Sequence, residues 1–161
     1  MFDKVNKLLE QYIGGQIFFT ELDKAVKFDA KILSDLTNKV MELHPYSRTI
    51  ASGEIGLAMH NLGVHIDFLV PGGLRHDPSK INLAPFAEQI KGQKFVFIDD
   101  SYFSGRTAFV VKEEIERLGG IFVGSMVAYD GAKEKDPTVD SLYRYYDHFD
   151  ILGRPLGEIR G

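Results

Sequence analysis

The sequence predicts an α/β fold, a parallel sheet flanked by helices. Two observations predict it. Between Thr49 and Ala128, apolar strand-length runs alternate with segments of helical period, the pattern of successive right-handed strand–helix–strand crossovers. Within that stretch, Phe95-Val96-Phe97-Ile98 is apolar without a break, as a strand covered on both faces requires.

The elements follow in order. Val5, Leu8, Leu9 and Tyr12 share one helical face, and Gly14-Gly15 stops that helix. Ile17-Phe18-Phe19 and Ala25-Val26-Lys27-Phe28 flank the polar turn Glu21-Leu22-Asp23-Lys24 and read as a hairpin. Asp29 caps a helix whose inner face is Ile32, Leu33, Leu36, Val40 and Leu43. His44-Pro45 ends it, because the residue before proline is driven out of the helical region. A short strand, Thr49-Ile50-Ala51, turns through Ser52-Gly53-Glu54-Ile55-Gly56 into a helix reaching Leu62-Gly63, and Val64 to Val70 is the next strand. Pro71-Gly72-Gly73 breaks it and opens a polar stretch, Leu74 to Asn82, which reads as a mobile loop. After Phe95–Ile98, a helix turns Ala108, Val111, Ile115 and Leu118 inward and stops at Gly119-Gly120. Ile121 to Ala128 is a strand, Ser141 to Tyr146 reads as a helix, and Phe149 to Leu152 as a last short strand. Tyr143, Tyr145 and Tyr146 suit packing better than stacking on a base.

Composition bounds the partners. The 161 residues, 44% hydrophobic and 26% charged, suit one globular domain over 1–161 with its core at about 29–130. A net charge of -4 argues against nucleic acid, which is met by a basic surface. No apolar run approaches the ~20 residues of a membrane span, and the N-terminus lacks a signal-peptide stretch. With no cysteine, the chain fits a reducing compartment, and the expected location is cytoplasmic. His44, His60, His65 and His148 show no metal-ligand spacing.

The chemistry is expected at the carboxyl ends of the strands, where parallel sheets bind ligands. Asp99-Asp100 directly follows Phe95–Ile98. Adjacent carboxylates repel one another unless hydroxyls or a cation satisfy them, and a ribose diol with a hydrated Mg²⁺ would do so. Ser104-Gly105-Arg106-Thr107 then leads into a helix, whose first amides are unpaired and carry the positive end of its dipole. That is a cradle for a phosphate monoester. One loop thus offers acids for a sugar and amides for its phosphate.

The stretch Phe97-Ile98-Asp99-Asp100-Ser101-Tyr102-Phe103-Ser104-Gly105-Arg106-Thr107 resembles the phosphoribosyl-diphosphate loop of type I phosphoribosyltransferases, with matches at Asp99, Asp100, Ser104, Gly105 and Thr107. Ile50 to Ala58 is similar to the family's diphosphate loop and following helix, and Pro71 to Asn82 to its flexible lid. Residues Phe18 to Asp29 loosely resemble the hood of orotate phosphoribosyltransferases. Two departures point away from orotate itself: Pro71-Gly72-Gly73 stands where orotate enzymes carry basic residues, and Gly131 follows Asp130 where they tend to have Arg.

The resemblance implies a Rossmann-like core with a small hood from about 14–28, joined by residues from 131–161. It implies transfer of phosphoribosyl from 5-phosphoribosyl-1-diphosphate (PRPP) to a nitrogenous base, with Mg²⁺. Asp99 and Asp100 would contact the ribose hydroxyls and, through them or water, the metal. Ser101, Tyr102, Phe103, Ser104, Gly105, Arg106 and Thr107 complete the ribose-5-phosphate loop, and Ala51, Ser52, Gly53 and Glu54 would hold the diphosphate. Arg75 and Lys80, with His76, would close over it from the lid, although each also reads as an ordinary loop charge. The expected partners are PRPP and a base, with no nucleic acid and no membrane, and the aromatics suggest a homodimer. A regulatory module that binds PRPP or a nucleotide without chemistry is the alternative.

Overall fold

The computed structural model describes residues 30–152, 154 and 156. The expected helix in 1–12, the hairpin and hood in 14–28, and the Asp29 cap lie outside the described residues. The chain runs through α1 (Ala30–Leu43), β1 (Arg48–Ser52), α2 (Gly53–Asn61), β2 (Phe68–Val70), α3 (Ala87–Ile90), β3 (Lys94–Tyr102), α4 (Arg106–Arg117), β4 (Ile121–Asp130) and β5 (Val139–Arg144). The five strands form one sheet in the order β2-β1-β3-β4-β5, with every neighbouring pair parallel.

The unbroken apolar run of β3 has the expected cause. Val96 and Ile98 join Leu33, Leu36 and Val40 of α1 and Ile55 and Met59 of α2. Phe95 and Phe97 face the other way and join Ile90 of α3 and Val111 and Ile115 of α4. Each such side chain, fully buried, contributes roughly 1.5–3 kcal/mol. Of the inner face predicted for α1, Ile32, Leu33, Leu36 and Val40 are buried, while Leu43, its last residue, is exposed. Among the described residues no helix is long and apolar enough to cross a membrane.

Four expectations are corrected. The second strand is shorter than Val64–Val70 and begins at Phe68. The Asp67 carboxylate accepts from the Thr49 amide at 2.9 Å and its hydroxyl at 3.2 Å, occupying the place a ladder carbonyl would take. Burial pushes that carboxyl up, but the Thr49 amide and hydroxyl and the neighbouring His65 outweigh it and hold it below the usual range.

The stretch expected as a helix at Ser141–Tyr146 is β5 followed by a 3₁₀ turn, Tyr145–Asp147. The neighbour explains this. β4 is buried from Gly124 to Asp130, and a buried strand needs a partner on each side. Residues 150–152 are likewise not a strand, and only Phe149 makes a bridge. The tyrosines pack as expected: Tyr145 is buried with Ile32, Ala128 and Tyr129, and the Tyr143 ring stacks 5.5 Å from Tyr129 and 4.8 Å from His148.

The segment expected to be a mobile loop, Leu74 to Asn82, is pinned at its two ends. Leu74 is fully buried in the cluster holding Phe95 and Ile115. Just beyond it, the buried Glu114 carboxylate of α4 accepts from the Leu83 amide at 3.0 Å and from Arg117 at 2.6 Å.

Candidate functional site

From β1 the chain crosses to β2 on one side, while β3 lies on the other. The connections leaving β1 and β3 therefore diverge at the carboxyl edge and leave a crevice there. It is a cavity of about 520 Å³, lined by Ser52, Gly53, Glu54, Gly72, Gly73, Arg75, His76, Asp99, Asp100, Ser101 to Thr107, Ser125 and Val127.

β3 does not end before the acids, as the sequence suggested. It continues to Tyr102, paired to β4 through Asp99 with Val127, Ser101 with Tyr129 and Tyr102 with Asp130. Pairing with β1 stops at Ala51 and Ile98. The acids therefore sit on a strand that has outrun its neighbour, which opens that flank to the crevice. Asp100 is 7% exposed and Asp99 half-buried. Asp99 Oδ1 accepts from the Asp100 amide at 2.8 Å, and Asp100 Oδ1 from the Ser101 amide at 2.9 Å. Each carboxylate is thus locked in one rotamer by the peptide that follows it.

The anion turn is built on Gly105, the cap of α4, at φ 79° and ψ 4°. Side chains rarely adopt that region. A Cβ there would also lie 2.5 Å from the Tyr102 Oη. The Ser104 hydroxyl accepts from the Arg106 amide at 3.4 Å, and Phe109 N–H donates to the Gly105 carbonyl at 2.9 Å to start the helix. Gly105→Ala should cost about 1–2 kcal/mol from backbone strain alone, and more because Tyr102 must move. A fall in thermal midpoint with intact far-UV dichroism is the expected result.

On the other wall, Gly53 passes so close over β2 that a Cβ would meet the Val70 carbonyl oxygen at 3.0 Å. Gly56 lets α2 settle against Ala51 and Leu69, where a side chain would clash with both. Arg75 and His76 line the cavity, and Arg75 Nε donates to His76 Nε2 at 3.1 Å.

Two predicted site residues do not line the cavity. Ala51 is fully buried in the core beneath the turn, because it is the last β1 residue paired on both sides. Lys80 is exposed at the end of a 3₁₀ turn, Pro78–Lys80, and does not itself line the cavity, although its Nζ lies beside Gly73 of the cavity wall, 3.4 Å from where a Cβ there would stand. The capping of that turn by Asp77, which accepts from the Ser79 amide at 3.2 Å, sets its course.

Phe103 lines the cavity with its ring against Gly131, where any Cβ would collide with it, and 6.2 Å from Tyr129. Gly131 thus makes room for a bulky residue beside the acids. Behind it lies a buried ion pair that the sequence reading missed. Arg144 Nη1 sits 3.2 Å from Asp130 Oδ2 and donates to the Ala132 carbonyl at 2.7 Å, and its Nη2 donates to the Lys133 carbonyl at 3.1 Å. Burial pushes the Asp130 carboxyl up, outweighing the Ala132 amide and Arg144, which pull it down. Asp136 was missed too. It accepts from the Tyr102 hydroxyl at 2.8 Å, and burial together with that bond pushes the Tyr102 phenol up to about 12. Asp136-Pro137-Thr138 carried a turn signal in the sequence, but nothing to name its partner.

Among the described residues no group of three or more His, Cys, Asp or Glu is arranged to hold a metal ion. Asp99 and Asp100 supply hard oxygen donors, which suit Mg²⁺ only when a ligand or water completes the shell.

The fold is that of the type I phosphoribosyltransferases, a five-stranded parallel sheet flanked by helices with this cavity at its carboxyl edge. Particular likenesses are to two structures of Mycobacterium tuberculosis orotate phosphoribosyltransferase. One, in complex with inorganic phosphate, superposes with a TM-score of 0.55 at 16% identity, over 93% of this chain and 89% of that one. The other, in complex with 5-phospho-alpha-D-ribosyl 1-diphosphate, gives 0.52 at 15% identity over 89% of each chain. A hypothetical protein from Neisseria gonorrhoeae with bound ppGpp gives 0.50 at 18% identity, over 71% of this chain and 77% of that one. No family model and no curated protein matches the sequence.

Proposed function

We propose that the protein is a Mg²⁺-dependent phosphoribosyltransferase that moves the 5-phosphoribosyl group of PRPP to a ring nitrogen of a base. One observation carries this reading: a single cavity is lined by an acid pair on β3, the turn capping α4 and the Ser52–Glu54 turn. In this reading, Asp99 and Asp100 take the ribose hydroxyls and the Ser104–Thr107 turn takes the 5'-phosphate on its amides. Ser52 and the turn amides near Gly53 hold the diphosphate.

During transfer the bond from C1 to the diphosphate oxygen breaks, with its electron pair leaving on diphosphate. The nitrogen lone pair forms the new bond to C1, and the ring N–H proton passes to diphosphate or water. The intervening state has oxocarbenium character. The chain contributes by holding both phosphoryl ends in fixed dipoles and presenting the two carboxyl groups to the sugar. Bound to the diphosphate, Mg²⁺ would draw charge from the leaving group. Arg75 is the lid cation on the cavity wall and adds positive charge there.

A second reading, a regulatory module that binds PRPP or a nucleotide without turnover, is favoured by the pinned Leu74. Incubation with PRPP, Mg²⁺ and a panel of bases separates the two. Diphosphate release with one base supports transfer and names the acceptor. Tight calorimetric binding of PRPP with no release under any base supports the module. Failure to bind PRPP defeats transfer, and failure to bind a nucleotide as well defeats the module.

A further inference from the structure

We infer that Asp136, in the connection between β4 and β5, is a positioning residue that holds the anion turn in shape through Tyr102. The inference rests on the ligand reading above and deepens it. Tyr102 is the last residue of β3, and its hydroxyl donates to Asp136 Oδ2 at 2.8 Å, a contact that spans 34 residues of sequence. Asp136 is itself fixed: its Oδ1 accepts from the Thr138 amide at 2.8 Å and the Thr138 hydroxyl at 2.7 Å.

Thr138 is tied in turn to β4, since its carbonyl accepts from the Ser125 amide at 2.9 Å. Gly124, at φ 145°, lets the two backbones approach so closely that a Cβ would lie 2.5 Å from the Thr138 oxygen. At the other end, the Tyr102 ring rests on Gly105, with Cζ 3.0 Å from where a Cβ would stand. The contacts therefore form one chain, from the body of β4 through Thr138, Asp136 and Tyr102 to the residue whose left-handed backbone aims the turn.

What lies beyond the ring makes the anchor necessary. Tyr102 lines the cavity on one side and, on the other, a groove of about 890 Å³ running along α4 past Phe109. It is the partition between two open volumes. The bond to Asp136 fixes the ring on Gly105, at the boundary between them. Hydrogen-bond partners around Asp136 hold its carboxyl below the usual range, the Thr138 hydroxyl first. A neutral phenol therefore donates to a carboxylate across the whole working pH range, and the anchor is always set. Its effect falls on ground-state capture of the phosphate end, not on the breaking of the C1–oxygen bond.

The test is a double-mutant cycle of Tyr102→Phe, Asp136→Ala and the pair, read by PRPP calorimetry and by amide hydrogen exchange at Gly105 to Thr107 in the free protein. Each single change should weaken PRPP binding by about 10–150-fold, the span of one bond to a charged acceptor. The pair should be no worse than either single, because both remove the same link. Exchange at the turn amides should quicken in all three, with the rest of the sheet unchanged. If turnover is established, Asp136→Ala should raise KM for PRPP and leave kcat at saturation alone. Additive losses, unchanged exchange at the turn, or a fall in kcat without a rise in KM would each overturn the anchor. Wild-type protein that does not bind PRPP defeats the ligand reading instead, and the exchange measurement still decides on the anchor.

Discussion

Asp99→Asn and Asp100→Asn should each weaken PRPP binding by about 5–15-fold, and the double change should abolish turnover, while the fold stays intact. The magnitude follows from the chemistry. A hydroxyl donating to a carboxylate is worth about 1.5–3 kcal/mol, against about 0.5–1.5 for a neutral acceptor. Asparagine has the same shape, and its oxygen can still accept from the next amide, which the carboxylates do here at 2.8 Å and 2.9 Å. The local backbone therefore has no reason to move. Asp100, at 7% exposure, has less room for a new N–H₂ than Asp99, so any loss of stability should be confined to the Asp100 variant. Calorimetry with PRPP and Mg²⁺ checks the affinity, and a thermal melt checks the fold. Affinity within about twofold of wild type in both single variants would remove the sugar from this site.

The second large effect concerns stability. Arg144→Met should destabilise the fold by about 3–5 kcal/mol at neutral pH, because it leaves the Asp130 carboxylate buried without its partner. The side chains are 8% and 2% exposed, so water offers little compensation. Two carbonyls, Ala132 and Lys133, lose their donor as well. The sign with pH follows from the raised Asp130 carboxyl. A group whose folded pKa exceeds its unfolded one binds its proton more tightly when folded. Its contribution to stability therefore falls as pH rises from the unfolded value through the folded one. Removing Arg144 removes an influence that lowers that pKa, which widens the window. The deficit of the variant should be greatest at neutral pH and should shrink on mild acidification, before Asp67 and Asp136, both held low, begin to protonate. Urea melts of both proteins across that range check it, and a deficit that grows toward acid would be the contrary result.

These two sites differ in how well the sequence announced them. The acid pair and the anion turn were legible because their signal is local: an apolar run, two acids and a glycine-containing turn lie within one stretch, Lys94 to Thr107. The helical faces of α1 and α4 were legible for the same reason, since periodicity is written in neighbours. The ion pair was not, because Asp130 and Arg144 become partners only when β4 and β5 are paired in register. Residues Ser141 to Tyr146 read as a helix because tyrosine and leucine fall at compatible spacings, and the need of β4 for an outer neighbour overrode that pattern. Leu74 was lost inside a polar stretch, where one buried side chain leaves no period to detect. Ala51 and Lys80 were assigned by position along the chain alone; Ala51 lies in the core, and Lys80 reaches the cavity wall only through its Nζ beside Gly73.

The walls of the cavity come from stretches far apart in the chain: Ser52–Leu57, Pro71–His76, Asp99–Ala108 and Ser125–Val127. No fragment of the chain assembles them by itself, so an occupant meets its full set of contacts only on a finished molecule. Occupancy and folding are then linked by mass action, and at a hundredfold excess over its dissociation constant a ligand adds about 2.7 kcal/mol to the native state. Resistance to heat thereby becomes a reporter of what fills the crevice, independent of whether any bond is made or broken there.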